Sequence, residues 1–176
     1  MKKDYRIGVL GSGFIISECH LVSYQKLGYN PVAIASRTKT NAEKAAERFG
    51  IETVYDDYEA LLDDASIEVL DIAVPPQQQP GLIRAACERG TAKAILAQKP
   101  LALDLAEGRA LVEACEAAGI LLAVNQNMRH DPSVRAGKGM LESGQIGDPV
   151  FATIDMRGIP HWQPWQEEMG SASLKI

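Results

Sequence analysis

Short apolar runs alternate with amphipathic stretches along the first 126 residues. Arg6-Ile7-Gly8-Val9-Leu10 has the nearly unbroken apolar character of a strand buried on both faces. Residues 14–27 follow a helical period and stop at Gly28, a residue suited to the left-handed turn that ends helices. The rhythm continues with a strand at 31–36, a helix at 41–49 closed by Gly50, a short strand at 53–55 and a helix at 57–62. A strand at 68–74 then precedes a helix at 80–89 closed by Gly90, and a strand at 92–97 precedes a helix capped by Asp104 and running to 118. A sixth strand covers 120–124. Strands alternating with helices predict an α/β fold, a doubly wound parallel sheet. Six strands in this rhythm fit a dinucleotide-binding domain of roughly 120 residues.

Beyond residue 126 the pattern changes. Asp131-Pro132 opens a helix to about 143, and 144–149 reads as a turn. Residues 149–157 have strand character, with Val150, Ala152 and Ile154 on one face and Phe151, Thr153 and Asp155 on the other. The stretch 158–176 is rich in Gly, Pro, Trp and Ser and has no period. A lone strand cannot bury a face. The expected organisation is therefore a cofactor domain at 1–126, followed at 127–176 by the opening of an α+β domain whose remainder is absent.

Composition narrows the class. A hydrophobic content of 46% with 23% charged residues is that of an ordinary soluble globular chain. The net charge of −5 and the absence of any basic run argue against a nucleic-acid partner. No apolar stretch reaches the length of a membrane span, and Met1 to Tyr5 lead straight into a strand, which argues against a signal peptide. Cys19, Cys87 and Cys115 are far apart in helical patterns and suit reduced thiols in a cytoplasmic protein. The three histidines, His20, His130 and His161, do not cluster, so no metal site is expected.

Candidate chemistry begins at Gly11-Ser12-Gly13, which follows the first strand and opens the first helix. In that context Gly11 permits a tight turn, Gly13 admits a pyrophosphate, and the helix N-terminus supplies free N–H groups. The third glycine position holds Ile16, which is expected to push the helix outward and weaken binding. Glycines at a strand–helix turn also occur without any ligand. The second strand ends Ala35-Ser36-Arg37-Thr38-Lys39, with no carboxylate at its tip. Ser36, Arg37 and Thr38 suit a 2′-phosphate, so NADP is preferred and NAD remains possible. The competing reading is a polar loop that caps the next helix through Thr40 or Asn41.

Lys99 follows the apolar run Ala94-Ile95-Leu96-Ala97, and ligands of open α/β sheets bind outside the carboxyl ends of the strands. A cation there is placed to meet a cofactor and a substrate together. Pro100 biases the backbone of Lys99 toward an extended conformation. Most lysines, by contrast, are simply solvated.

Taken together, these segments resemble the glucose–fructose oxidoreductase / inositol 2-dehydrogenase / MocA family. The resemblance rests on Gly11-Ser12-Gly13-Phe14-Ile15-Ile16 with His20, on Val74-Pro75-Pro76, and on Gln98-Lys99-Pro100-Leu101-Ala102. Asn127-Met128-Arg129-His130-Asp131-Pro132 and Gly144-Gln145-Ile146-Gly147-Asp148-Pro149 complete it, so that it covers residues 5–157. It implies a Rossmann cofactor domain, a nicotinamide cofactor and a sugar or polyol substrate. Lys99 is then the residue that touches the nicotinamide and the substrate hydroxyl and takes part in proton transfer. Gly11, Ser12, Gly13, Phe14, Ile15, Ser36, Arg37, Thr38, Val74, Pro75, Gln79, Gln98, Lys99 and Asn127 are the implied cofactor contacts. The resemblance also implies a homo-oligomer built through the second domain.

Several positions depart from the family pattern. Gln98 replaces a glutamate, Gln79 stands near a usual histidine, and Met128 replaces an arginine. The acid–histidine pair of the family lies beyond the end of this sequence. His161 sits in a Pro/Trp-rich stretch instead, and Trp162 and Trp165 read more as packing aromatics than as a cofactor cover.

The leading expectation is the cofactor domain of an NADP-dependent oxidoreductase acting on a sugar, polyol or related carbonyl, with little turnover by this chain alone. The alternative is a non-catalytic nucleotide-binding regulator or interaction protein. An S-adenosylmethionine methyltransferase is disfavoured because Ser36-Arg37 stands where such enzymes usually place an acid.

Overall fold

The computed structural model describes residues 3–155. His161, Trp162, Trp165 and the last two residues of the strand expected at 149–157 lie outside the described residues.

Six parallel strands form one sheet in the order β3-β2-β1-β4-β5-β6. They are β1 (Arg6–Leu10), β2 (Asn30–Ala35), β3 (Thr53–Tyr55), β4 (Val69–Ile72), β5 (Ala94–Ala97) and β6 (Leu121–Val124). The helices between them are α1 (Leu21–Leu27), α2 (Lys39–Phe49), α3 (Tyr58–Leu62), α4 (Gln79–Arg89) and α5 (Leu105–Ala117). Local signals set their ends. Asp57 caps α3 by accepting from the Ala60 amide at 2.8 Å, and Asp104 caps α5 by accepting from the Glu107 amide at 2.8 Å.

The two faces of the sheet carry separate cores. On one, Leu10, Ala35, Ile72, Ile95 and Ala97 pack against Leu61, Leu82, Ile83 and Leu111 from α3, α4 and α5. On the other, Ile7, Val9 and Ile34 pack against Ile16, Leu21, Ala42 and Ala45. On that second face β5 and β6 are less covered: Ala94 and Leu96 are half-buried, and Leu121 is exposed. β5 is therefore closely covered on only one of its faces.

Four sequence expectations are corrected. The first helix does not begin as an α-helix; Ile15–His20 is a π-helix that continues into α1. Ile16 is not pushed outward but fully buried, and the wider π turn accommodates its bulk where a glycine was expected. α2 begins at Lys39, so Thr40 and Asn41 lie inside it; Thr38 occupies the N-cap position without a side-chain capping bond. No strand forms over the described part of 149–157, where Val150, Phe151 and Ile154 are exposed. A strand requires a partner ladder, and the alternating pattern alone does not supply one.

Cys87 and Cys115, distant in sequence, come together where α4 meets α5, with their sulfurs 3.5 Å apart as free thiols. Burial, reinforced by the Cys87 hydrogen bond, pushes the Cys115 thiol up to about 12.

The chain divides into two compact units, with the division after His130. The second begins with α6 (Pro132–Glu142), capped by Asp131, whose carboxylate accepts from the Ser133 amide at 2.8 Å.

Candidate functional site

Strand register lines the candidate residues along one rim of the sheet. Tyr55, Ala35, Leu10, Ile72, Ala97 and Val124 form one continuous row across all six strands. The residue after each opens the carboxyl rim: Asp56, Ser36, Gly11, Ala73, Gln98 and Asn125. The backbone ladder extends one step past the strands there. The Gly11 amide donates to Ala35 O at 2.8 Å, Ala73 to Leu10 O at 3.0 Å, Gln98 to Ile72 O at 2.9 Å and Asn125 to Ala97 O at 2.8 Å. Strand order reverses between β1 and β4, which is where open α/β sheets form their ligand crevice.

Gly11 takes a φ of 115°, and a Cβ on it would stand 2.4 Å from Ala73 O. Only glycine allows β1 to turn so close to the end of β4. Gly13 differs, since a Cβ there meets nothing within 4 Å. The amides of Ser12, Gly13 and Phe14 find no backbone acceptor among the described residues. Open space over unpaired N–H groups at the head of a helix fits a pyrophosphate. Phe14 is exposed and Ile15 half-buried beside it.

At the end of β2 the Ser12 hydroxyl donates to the buried Ser36 Oγ at 2.7 Å, tying the glycine loop to the second strand. The Arg37 amide donates to Tyr58 Oη at 3.2 Å, while its exposed guanidinium has no ion-pair partner among the described residues. Thr38 is exposed, with its hydroxyl free of any capping bond. Lys39 is already paired with Asp56 after β3, and that carboxylate holds the Lys39 ammonium above its usual range.

Past β4, Val74 is buried and Pro75 exposed at the rim. Gln79 departs from its expected role. It is 1% exposed, and its amide is consumed by the loop after β5. Nε2 donates to Gln98 O at 2.7 Å, Pro100 O at 2.9 Å and Leu101 O at 3.2 Å, and Oε1 accepts from the Gln98 amide at 2.9 Å. With both ends of the amide satisfied inside the protein, Gln79 positions the Lys99 loop rather than offering itself to a cofactor. The half-buried Gln98 side chain accepts from the Lys99 amide at 2.8 Å, and the Lys99–Pro100 peptide is cis. The Lys99 side chain is exposed, with no hydrogen-bond or ion-pair partner among the described residues. Asn127 lies exposed in the 3-10 turn Asn127–His130.

One cluster was not singled out from the sequence. His20 is buried at the end of the π-helix with Nδ1 2.8 Å from the Asp71 carboxylate, which is 0% exposed on β4. Tyr24 donates its hydroxyl to Asp71 at 2.8 Å, and Asn125 Nδ2 lies 2.8 Å from His20 Nε2. Burial and the Asp71 charge hold the Tyr24 phenol well above its usual range, so it stays a donor. An aspartate inside the apolar β4 pattern, Val69-Leu70-Asp71-Ile72, is the sequence signal that could have revealed it: a buried carboxylate requires partners.

The chain is 34% identical over 156 residues to D-apiose dehydrogenase of Paraburkholderia graminis, an alignment covering 88% of this chain and 41% of that protein. It superposes with a TM-score of 0.74 and 33% identity on an oxidoreductase from Agrobacterium radiobacter solved with NAD+, L-tartaric acid and magnesium, covering 83% of this chain and 42% of that one. It superposes with a TM-score of 0.73 and 32% identity on a variant 3-ketoreductase from Actinomadura kijaniata solved with TDP-benzene and NADP, covering 82% and 44% of the two chains. The chain thus spans somewhat under half the length of these relatives. Residues 5–126 match the family described as oxidoreductase family, NAD-binding Rossmann fold. With the glycine loop, the strand order and the rim all in agreement, the chain belongs to this GFO_IDH_MocA oxidoreductase family.

Proposed function

We propose that this chain forms the cofactor half of an oxidoreductase that moves a hydride between NADP(H) and a secondary alcohol or the matching carbonyl of a sugar or polyol. The observation that carries the reading is the shared rim, which sets the open Gly13 loop and Lys99, whose side chain has no partner among the described residues, on one edge of the sheet. A bound nicotinamide dinucleotide supplies the hydride acceptor or donor. The chain's own residues supply binding and orientation. The amides of Ser12, Gly13 and Phe14 receive the pyrophosphate. The Ser12–Ser36 bond fixes the loop against β2. Arg37, whose guanidinium has no partner among the described residues and has no carboxylate beside it at the end of β2, meets a 2′-phosphate, while Lys39 is occupied by Asp56. Relatives are solved with NAD+ and with NADP, so the preference for NADP rests on Arg37.

Lys99 is the residue placed to hold or accept the proton of the substrate hydroxyl. Its loop is held by the Gln79 side chain through backbone contacts, and the ammonium has no partner among the described residues. A lysine ammonium carries a proton that it can give to, or take back from, a substrate oxygen. The test is a chimera that joins residues 1–126 to the remainder of the Paraburkholderia graminis relative, assayed for sugar-dependent reduction of NADP+. Lys99→Ala should lower the rate by about 10²–10⁴-fold with the affinity for NADPH nearly unchanged. Equal turnover with and without Lys99 contradicts the assignment.

A further inference from the structure

The buried cluster around His20 has a consequence at the rim. Asp71 is an acceptor, and both of its oxygens lie within 3.0 Å of His20 Nδ1. Nδ1 therefore carries the ring proton. In the neutral ring Nε2 is then an acceptor, and it faces Asn125 Nδ2 at 2.8 Å. The amide of Asn125 is thereby turned in one sense: its N–H edge looks back at the histidine, and its Oδ1 is left with no internal donor among the described residues. Asn125 is half-buried and is the rim residue of β6, next to Gln98 on β5 through the row Ala97–Val124.

The sheet spreads the two ends of a dinucleotide along this rim. Arg37 marks the adenosine side on β2, and the glycine loop on β1 takes the pyrophosphate at the centre. The nicotinamide half then falls toward β4, β5 and β6. A nicotinamide carboxamide carries an NH₂ group that needs an acceptor. We propose that Asn125 Oδ1 accepts a hydrogen bond from the nicotinamide carboxamide, and that His20, locked by Asp71, is the positioning residue that fixes the orientation of Asn125. This rests on the cofactor reading above.

The test separates the two halves of the cofactor. The wild-type chain, Asn125→Ala and His20→Ala are titrated with NADPH and with 2′-phospho-ADP-ribose, which lacks the nicotinamide ring. Asn125→Ala, at a half-buried position, should weaken NADPH about tenfold, the loss of one hydrogen bond, and leave 2′-phospho-ADP-ribose within twofold. His20→Ala should show the same selective loss. Equal weakening of both ligands by His20→Ala would make the histidine a support of the glycine loop and overturn its positioning role. Unchanged NADPH affinity in Asn125→Ala overturns the contact. A wild-type chain that binds neither ligand overturns the cofactor reading, and the inference with it. Independently of any variant, nitrogen NMR of the wild-type imidazole should show a neutral ring with its proton on Nδ1, and a proton on Nε2, alone or together with one on Nδ1, overturns the proposed orientation.

Discussion

Gln79 and Gln98 are joined in both directions. The Gln79 Nε2 donates to the Gln98 carbonyl at 2.7 Å, and its Oε1 accepts from the Gln98 amide at 2.9 Å. A side chain at the start of α4 thereby holds the backbone that carries Lys99. Gln79→Ala should leave the carbonyls of Gln98, Pro100 and Leu101 without this donor and cost about 1–3 kcal/mol. Gln79→Glu, which keeps an acceptor but loses the donor, should cost a similar amount. Chemical denaturation checks both, and a loss below about 0.5 kcal/mol would show that the clamp is unimportant.

Gly11 and Gly13 should separate stability from binding. Gly11→Ala drives a Cβ against Ala73 O at a positive φ, so it should destabilise the fold by on the order of 1–3 kcal/mol or more. Gly13→Ala meets no protein atom, so it should change stability by less than about 1 kcal/mol while reducing dinucleotide affinity, because its methyl enters the space assigned to the pyrophosphate. Thermal unfolding and a cofactor titration on the same two variants check this. Unaltered affinity in Gly13→Ala would remove the loop from the site.

The sequence made the sheet legible because its strands are short apolar runs punctuated by Gly28, Gly50 and Gly90, each of which takes the left-handed turn expected of it. It located Gly11, Ser36 and Lys99 just past strand ends on the carboxyl side of the sheet, where open α/β sheets form ligand crevices, without knowledge of side-chain contacts. It did not disclose the role of Gln79, whose partners are backbone carbonyls twenty or so residues away and leave no pattern of their own. It did not disclose the His20 cluster either, since 51 residues separate the histidine from Asp71 and 105 separate it from Asn125. The strand expected over 149–157 shows the opposite failure: alternation is a statement about faces, and a face without a partner specifies no ladder.

The cysteines should differ sharply toward an alkylating reagent. Cys19 is exposed, whereas Cys115 is buried, with its thiol pushed up to about 12. Cys115 therefore stays in the unreactive thiol form at pH 8. Iodoacetamide followed by peptide mass spectrometry should label Cys19 first, and Cys115 only after unfolding. Early labelling of Cys115 would mean that α4 and α5 part readily in solution.

Arg37 should decide between the two cofactors. Its guanidinium is exposed and unpartnered among the described residues, whereas Lys39 is held by Asp56. Arg37→Ala should weaken NADPH by about 10–100-fold and leave NADH within about twofold, with the difference shrinking as salt is raised. Equal losses for both cofactors would place Arg37 on the adenine or ribose rather than on a 2′-phosphate.

The most direct test of the central claim is an equilibrium titration of this chain with NADPH and with NADH at fixed salt, followed by nicotinamide fluorescence. Saturable binding with NADPH the tighter ligand is the expected result. A chain that is folded by circular dichroism yet binds neither dinucleotide would contradict the assignment of the rim from Gly11 to Lys99 as a cofactor site.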